Sequence, residues 1–179
     1  QEARGDVVIF VDDDNFLRSD YLAVTARFMA EHPRAGAIGG RYLGVYESAP
    51  PAWLATAADY LAISNPGDQP FHLTEPGWWA PAGAGMAVRR ELALKAFAKP
   101  LLLVDRQGKS LSSGGDTEIS YRICRQGHEL WYVPELVLEH YMPATRLEPS
   151  YLLQLARGIG QSQAILDIYR MPDDRRGRL

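Results

Sequence analysis

The amino-acid sequence predicts an α/β fold in which a layered sheet is flanked by helices. Apolar, β-rich segments alternate along the chain with segments of helical periodicity. The first such segment, residues 7–11, is a continuous β-branched and aromatic run that ends directly at Asp12. The last predicted strand leads in the same way to His140. Strands that alternate with helices and end at polar side chains are typical of one layered α/β unit.

The first third of the chain predicts two strands and a helix. Residues 7–11 predict a buried strand covered on both faces, as in a parallel sheet. Ser19 then predicts the N-cap of a helix of about three turns, which ends before Pro33. Residues 35–42 predict a second strand, in which three glycines permit close approach of another backbone.

Residues 43–81 predict an irregular segment, because six prolines and three tryptophans are spread along it. One helical stretch is expected near residues 53–61. Irregular segments of this kind often carry binding surfaces. Residues 82–90 then predict a glycine-rich strand, which leads into a helix over 91–97.

The last part of the chain predicts a loop at 105–115 and a helix over 116–126, closed by Gly127. A strand is expected at 129–138, and a helix over 151–169 that two glycines interrupt. We therefore expect one domain over residues 1–170, followed by a loose charged tail at 171–179.

Composition excludes several classes of protein. The 179 residues fit one domain of ordinary size. The net charge is −3, with 19 basic and 22 acidic residues, so a nucleic-acid partner is not expected. The longest apolar runs are far shorter than the ~20 residues needed to cross a bilayer, which predicts no membrane-spanning segment. A cytoplasmic location is the default expectation, and any membrane association would come from parts of the protein outside this chain.

The acidic turn formed by Asp12, Asp13 and Asp14 is the clearest candidate site. Neighbouring like charges repel one another, and a divalent cation would neutralise them. Hard oxygen ligands at a strand end suit Mg²⁺ or Mn²⁺, which take the rest of their shell from water and phosphate oxygens. A solvated acidic turn that caps the next helix explains the same residues, and both interpretations stay open.

The other candidates also have two interpretations. His140 could be a metal ligand, although a lone histidine is more often structural. Asp116 is either a first-turn carboxylate favoured by the helix dipole or a general base for an acceptor hydroxyl. The tryptophans Trp53, Trp78 and Trp79 either fill the core or form a platform for a carbohydrate. The lone cysteine, Cys124, is interpreted as structural.

Taken in order, these features resemble the C-terminal two-thirds of the catalytic domain of a family 2 glycosyltransferase with the GT-A fold, a nucleotide-sugar-dependent enzyme. The resemblance covers nearly all of residues 3–165. It rests on four landmarks: Phe10-Val11-Asp12-Asp13-Asp14; the Gly-rich segment 82–90; Gly114-Gly115-Asp116-Thr117-Glu118; and Val137-Leu138-Glu139-His140 with Arg146 and the later Gly158-Ile159-Gly160-Gln161-Ser162. Each motif alone is weak, and the ordered combination is specific.

The resemblance implies roles for individual residues. Asp12 would lie near the nucleotide ribose, Asp14 would bind the metal on the diphosphate, and Asp13 stands between them on the donor side. His140 would approach the same metal, and Asp116 would be the catalytic base. The acceptor side would comprise Trp79, Gly83, Ala84, Gly85, Gly115 and Arg146. The family usually has Glu where this chain has Gly115.

The implied activity is transfer of a sugar, of the hexosyltransferase type and with inversion, from a UDP- or GDP-linked donor. The acceptor would be a hydroxyl of a glycan, a lipid or a small molecule, and the cofactor Mg²⁺ or Mn²⁺. The fold would be a GT-A mixed sheet without its N-terminal strands, because the family's nucleobase-binding strands have no counterpart before Gln1. We therefore expect this fragment alone to be weakly active or inactive.

Two other functions stay open. A non-catalytic module that binds a sugar nucleotide or a glycan on a degenerate GT-A fold would explain Gly115. A metal-dependent phosphoryl or nucleotidyl transferase shares carboxylates at a strand end, but the chain carries no P-loop or kinase signature.

Overall fold

The computed structural model describes residues 2–103 and 113–171. Within these residues a six-stranded mixed sheet has the strand order β1-β5-β3-β6-β2, and β4 pairs with β6 beside β2. The elements are β1 Val7–Ile9, β2 Asn15–Leu17, α1 Tyr21–Glu31, β3 Ala35–Tyr46, α2 Leu54–Ala57, β4 Phe71–Leu73, β5 Ala87–Arg89, α3 Arg90–Ala96, α4 Gly115–Cys124, β6 Glu129–Met142 and α5 Pro149–Arg170. Two short 3₁₀ helices, Ala58–Leu61 and Ala144–Leu147, complete the list.

The sheet is covered by helices on both faces. Ile38 on β3 contributes to an apolar cluster with Tyr21 of α1. Its neighbour Ala37 contributes to a second cluster, which holds Leu92 of α3 and Ile123 of α4. Because successive strand residues point to opposite faces, the two clusters lie on opposite sides of the sheet. The predicted mixed sheet flanked by helices is therefore confirmed.

The centre of the sheet is the parallel pair β3–β6, which contains a pronounced irregularity. Gly39 pairs with Tyr132 and Arg41 with Val137, so Gly40 alone lies opposite four residues of β6. A Cβ atom on Gly40 would lie 1.8 Å from the carbonyl oxygen of Leu136. Glycine is therefore required here, because any side chain would collide with the bulging strand.

Three predictions about strands are corrected by the structure. β1 is half-buried and antiparallel to β5, not a strand covered on both faces in a parallel sheet. The glycine-rich segment before β5 is a turn, and the strand itself is limited to three residues. Neither β2 nor β4 was expected; each is three residues long and pairs with β6.

The helices also differ in detail from the predictions. Asp20, not Ser19, stands at the N-cap of α1, and its carboxylate accepts a 2.7 Å hydrogen bond from Arg18. α5 continues unbroken through its two glycines, because its apolar side packs against the domain. The helical stretch expected near residues 53–61 is confirmed as α2 and the following 3₁₀ helix.

Some expectations concern residues outside the described ranges. The predicted tail lies there from residue 172 onward, as does the loop at 105–115 up to residue 112. Among the helices that are described, none has both the length and the apolar character required to cross a membrane.

Candidate active site

A cavity of about 1050 Å³ gathers most of the predicted site residues. It is bordered by the turn after β1, the turn before β5, the first turn of α4 and the end of β6. The predicted residues that line it are Asp12, Asp13, Asp14, Trp79, Gly83, Ala84, Asp116, His140 and Arg146. Gly85 and Gly115 were also predicted and are not among the lining residues.

Asp14 and His140 are brought together by the antiparallel pairing of β2 with β6. In that register Asn15 lies opposite His140, and the amide of Tyr141 donates to the carbonyl oxygen of Asp14 at 2.9 Å. The Oδ2 atom of Asp14 consequently lies 3.6 Å from Nε2 of His140. Two residues that are 126 positions apart in the sequence thus form one pair of possible metal ligands.

Arg146 also lies at this pair. Its guanidinium Nη1 is 2.8 Å from Oδ2 of Asp14 and 3.2 Å from Nε2 of His140. The 3₁₀ helix after β6 places the arginine there, with its amide donating to the carbonyl oxygen of Pro143. The residue predicted on the acceptor side therefore contacts the predicted metal ligands.

The charge of the cavity fits a divalent cation. Its lining includes five aspartates and two arginines, so a diphosphate would enter an acidic cavity and would need a positive counter-charge. In the described part of the chain, no cluster of three or more His, Cys, Asp or Glu side chains suits a metal. Mg²⁺ and Mn²⁺ can bind through one or two protein ligands plus water and phosphate, and one carboxylate with one imidazole, as in Asp14 and His140, fits that chemistry.

Asp116 is held in the first turn of α4, beside the glycine-rich turn. Its Oδ2 accepts a 2.9 Å hydrogen bond from the amide of Gly83, and its Oδ1 accepts one from the amide of Thr117. Close approach of the Gly83 backbone therefore fixes the orientation of the carboxylate. Both residues line the cavity, so a group bound there can reach this part of α4.

Gly85 is the last residue of the glycine-rich turn and fixes its backbone conformation. Its φ angle is +78°, a conformation that strongly favours glycine. Its amide donates to the carbonyl oxygen of Phe10 at 2.7 Å, and its own carbonyl accepts from the Tyr21 hydroxyl at 2.6 Å. The interaction with Phe10 ties the glycine-rich turn to the end of β1, just before the acidic turn.

The adjacent tryptophans have opposite environments. Trp79 is 6% exposed and packs edge-on against Phe71 and Tyr132. Trp78 is 73% exposed, lines the cavity and contacts Phe71 at a centroid distance of 5.0 Å. Of the two rings, Trp78 thus offers the larger accessible surface to the cavity, whereas Trp79 is the one predicted on the acceptor side.

Helix α5 supplies one wall of the cavity that the sequence analysis did not assign. Ile159, Gln163, Leu166 and Arg170 line it at intervals of four, three and four residues. This spacing marks one face of a helix. The mixture of polar and apolar residues on that face was the signal that could have indicated a second wall.

A buried carboxylate, Glu118, fixes the end of the cavity that α4 and α5 form. It accepts hydrogen bonds from the amide of Leu103 at 2.8 Å, from Arg122 at 2.7 Å and from the Tyr169 hydroxyl. Burial opposes its ionisation, but these donors together lower the pKa of the carboxyl below its ordinary value of 4.5. Glu118 therefore joins α4, α5 and the backbone at Leu102 and Leu103.

The cysteine of α4 lies in an apolar environment, unlike Glu118, which is surrounded by hydrogen-bond donors. Cys124 packs against the apolar cluster beneath α3 and α4. Burial raises the pKa of its thiol to about 12, which leaves it protonated at neutral pH. This agrees with the structural role expected for it.

Comparison with known proteins shows which family this chain belongs to. The family described as glycosyltransferase like family 2 matches residues 1–160, and the chain belongs to this family. A search of the curated proteins found no match. Among solved structures, the chain is similar to a crystal structure of GalNAc-T7 with UDP, GalNAc and Mn²⁺, with 17% identity and a TM-score of 0.49. That similarity covers 77% of this chain and 28% of GalNAc-T7.

The family match confirms the resemblance stated from the sequence. It also confirms the predicted fold class, since the mixed sheet flanked by helices is the architecture that the resemblance implied. The family match covers both the acidic turn and the first turn of α4.

Proposed function

We propose that this chain forms the metal and acceptor side of an inverting glycosyltransferase. The enzyme would move a hexose from a UDP- or GDP-linked donor to a hydroxyl acceptor. The observation that carries the proposal is the meeting, in one cavity, of the Asp14–His140 pair and the carboxylate of Asp116. The Asp14–His140 pair suits a diphosphate with its cation, and the Asp116 carboxylate suits an acceptor hydroxyl.

The transfer needs one displacement at the anomeric carbon. The acceptor oxygen forms the new bond to carbon, the bond from carbon to the diphosphate oxygen breaks, and the acceptor proton moves to Asp116. The amide of Gly83 holds this carboxylate in place, at 2.9 Å from Oδ2. A one-step displacement inverts the configuration and requires no nucleophilic side chain.

Asp14 and His140 would hold Mg²⁺ or Mn²⁺, which when bound supplies positive charge to the leaving diphosphate. Asp12 and Asp13 are exposed in the same acidic turn and line the cavity, where they can contact the donor ribose or metal-bound water. The donor and the acceptor therefore approach the cavity from the β1 side and the α4 side, respectively.

We place the acceptor against Trp78, because the ring of the predicted Trp79 is only 6% exposed. The exposed indole ring offers an apolar surface of the kind that packs against the face of a sugar ring. The segment before it is anchored to α4, because the Tyr121 hydroxyl donates to the carbonyl oxygen of Pro76 at 3.3 Å. The same helix carries Asp116, so the aromatic ring and the base share one support.

The substitution Asp116→Asn tests the base. Turnover should fall by about 100- to 10,000-fold, because the amide cannot accept the proton, while donor binding should persist. The measurement, made on the intact protein, is nucleotide release from a UDP- or GDP-sugar with acceptor present, together with calorimetric titration of the nucleotide. Asp68→Asn, which alters an exposed carboxylate paired with Arg41, is the control.

Near-normal transfer by the Asp116→Asn variant would contradict the role of the base. An intact wild-type protein that binds donor nucleotide but transfers no sugar would instead favour the non-catalytic binding module. Cleavage inside the diphosphate would indicate phosphoryl or nucleotidyl transfer.

A further inference from the structure

We propose that Arg146 occupies the cation position of the Asp14–His140 pair, and that a divalent metal and this guanidinium bind there in competition. The inference rests on the proposed function, because it takes these two side chains as the metal ligands. It gives Arg146 a role in control of metal binding, distinct from the acceptor-side role that the resemblance implied.

The contacts of one nitrogen atom carry the inference. Nη1 of Arg146 is 2.8 Å from Oδ2 of Asp14 and 3.2 Å from Nε2 of His140. These are the two atoms that would coordinate a metal from this pair. The side chains of Arg146 and Asp14 are 21% and 19% exposed, so the ion pair is largely shielded from water. A guanidinium is positively charged at every pH at which a protein is folded.

A metal ion and this nitrogen cannot occupy the position together. Oxygen and imidazole ligands of Mg²⁺ and similar ions lie about 2.0–2.2 Å from the metal. A cation at that distance from both Asp14 and His140 would overlap with Nη1 and would repel its charge. The guanidinium must therefore move away before the metal can bind to the pair.

The backbone of Arg146 can stay in place during this exchange. Its amide is bound to the carbonyl oxygen of Pro143 at 2.9 Å within the 3₁₀ helix, whereas the long side chain has several rotatable bonds. A displaced guanidinium remains beside the cavity, where phosphate oxygens of a bound nucleotide would be suitable acceptors. Metal and nucleoside diphosphate should consequently bind more tightly together than the metal does alone.

Electron paramagnetic resonance of Mn²⁺ titrated into the protein measures this competition without any turnover. We expect the Arg146→Ala variant to bind Mn²⁺ about tenfold more tightly than the wild type in the absence of nucleotide. Arg146→Lys, which keeps the charge and loses the planar fork, should bind less tightly than the alanine variant. Asp14→Ala should lose the site.

Arg41→Ala is the matched control. Arg41 forms a 2.6 Å ion pair with Asp68 and is 25% exposed, close to the values for Arg146. It does not line the cavity. Its removal changes the net charge equally, so any general electrostatic gain in Mn²⁺ affinity appears in this variant too.

Unchanged or weaker Mn²⁺ binding by Arg146→Ala, relative to Arg41→Ala, would overturn the inference. Failure of every variant to bind Mn²⁺, with UDP or GDP present or absent, would overturn it as well. The proposed function fails separately: tighter Mn²⁺ binding by Arg146→Ala, together with no sugar transfer by the intact protein, would keep the inference and contradict the transferase activity.

Discussion

At the scale of single residues, neighbours in the sequence can have unrelated roles. Trp78 and Trp79 are chemically identical and adjacent, yet one is exposed in the cavity and the other is packed among aromatic rings of the core. Composition cannot separate them, because the difference depends on the position of Tyr132 of β6, against which Trp79 packs beside Phe71 of β4. That strand forms only against β6, through pairing over a long sequence separation.

The two tryptophans should therefore respond differently to substitution. Trp78→Ala should raise the KM for a carbohydrate acceptor about tenfold and change stability little, since its ring is exposed. Trp79→Ala should lower the free energy of unfolding by about 3–5 kcal/mol, because it leaves a cavity in the core. Acceptor kinetics and urea denaturation of both variants check this, and equal effects on KM would contradict the assignment of the platform.

At the scale of elements, α4 carries both the proposed chemistry and its support. Asp116 lies in its first turn, and Glu118 follows two residues later but faces the interior. The sequence showed two acidic residues at a helix start, for which the helix dipole is a sufficient explanation. The structure adds that Glu118 is fully buried and is the acceptor for groups from three separate segments.

Substitution of Glu118 should lower the stability of the domain. Glu118→Gln removes the charge from a buried ion pair with Arg122, and we expect a loss of about 3 kcal/mol in the free energy of unfolding at pH 7. Urea denaturation measures the loss. Glu91→Gln, in the exposed first turn of α3, is the control and should be nearly neutral. Equal stability of the two variants would show that the buried network contributes little.

The pH dependence follows from the lowered pKa of Glu118. The unfolded chain takes up this proton near pH 4.5, and the folded protein takes it up at a lower pH. The stabilisation is thus complete above pH 4.5 and is lost as the pH falls through the folded pKa. Unfolding free energies measured from pH 7 to pH 3 should fall less steeply in Glu118→Gln than in the wild type.

The elements that the sequence predicted well are those with long local patterns. α1, α5, β3 and β6 all follow from periodicity or from apolar runs. β2 and β4 could not be predicted, since three residues carry no pattern and are strands only because β6 offers an edge. The burial of β1 was misjudged because an apolar run does not show whether a strand lies at the end of a sheet.

At the scale of the whole molecule, the cavity collects residues from distant parts of the chain and has an excess of negative charge. The resemblance carried by the ordered motifs predicted that the aspartates, the glycine-rich turn and His140 belong to one site. The contact of Arg146 with Asp14 was outside the reach of the sequence, because a guanidinium at the end of a long side chain can reach many positions.

The acidic cavity predicts that ligands will stabilise the domain jointly. UDP or GDP alone should change the melting temperature little, because the aspartates repel a diphosphate. With Mn²⁺ also present, and both near 100 times their Kd, we expect a rise of about 5 °C. A thermal shift series with each ligand separately and together measures this, with Asp14→Ala as control. An equal rise with nucleotide alone would contradict a bridging cation.

The position of Pro134 has a consequence for the behaviour of the protein in a crowded cell. β6 is long, but on the side away from β3 its described partners are two strands of three residues each, at 130–132 and at 138–140. Pro134 falls between them, where a residue without an amide hydrogen cannot donate to a neighbouring strand. This edge of the sheet therefore consists of two short strands. Short edge strands disfavour pairing with the strands of other chains, which opposes aggregation.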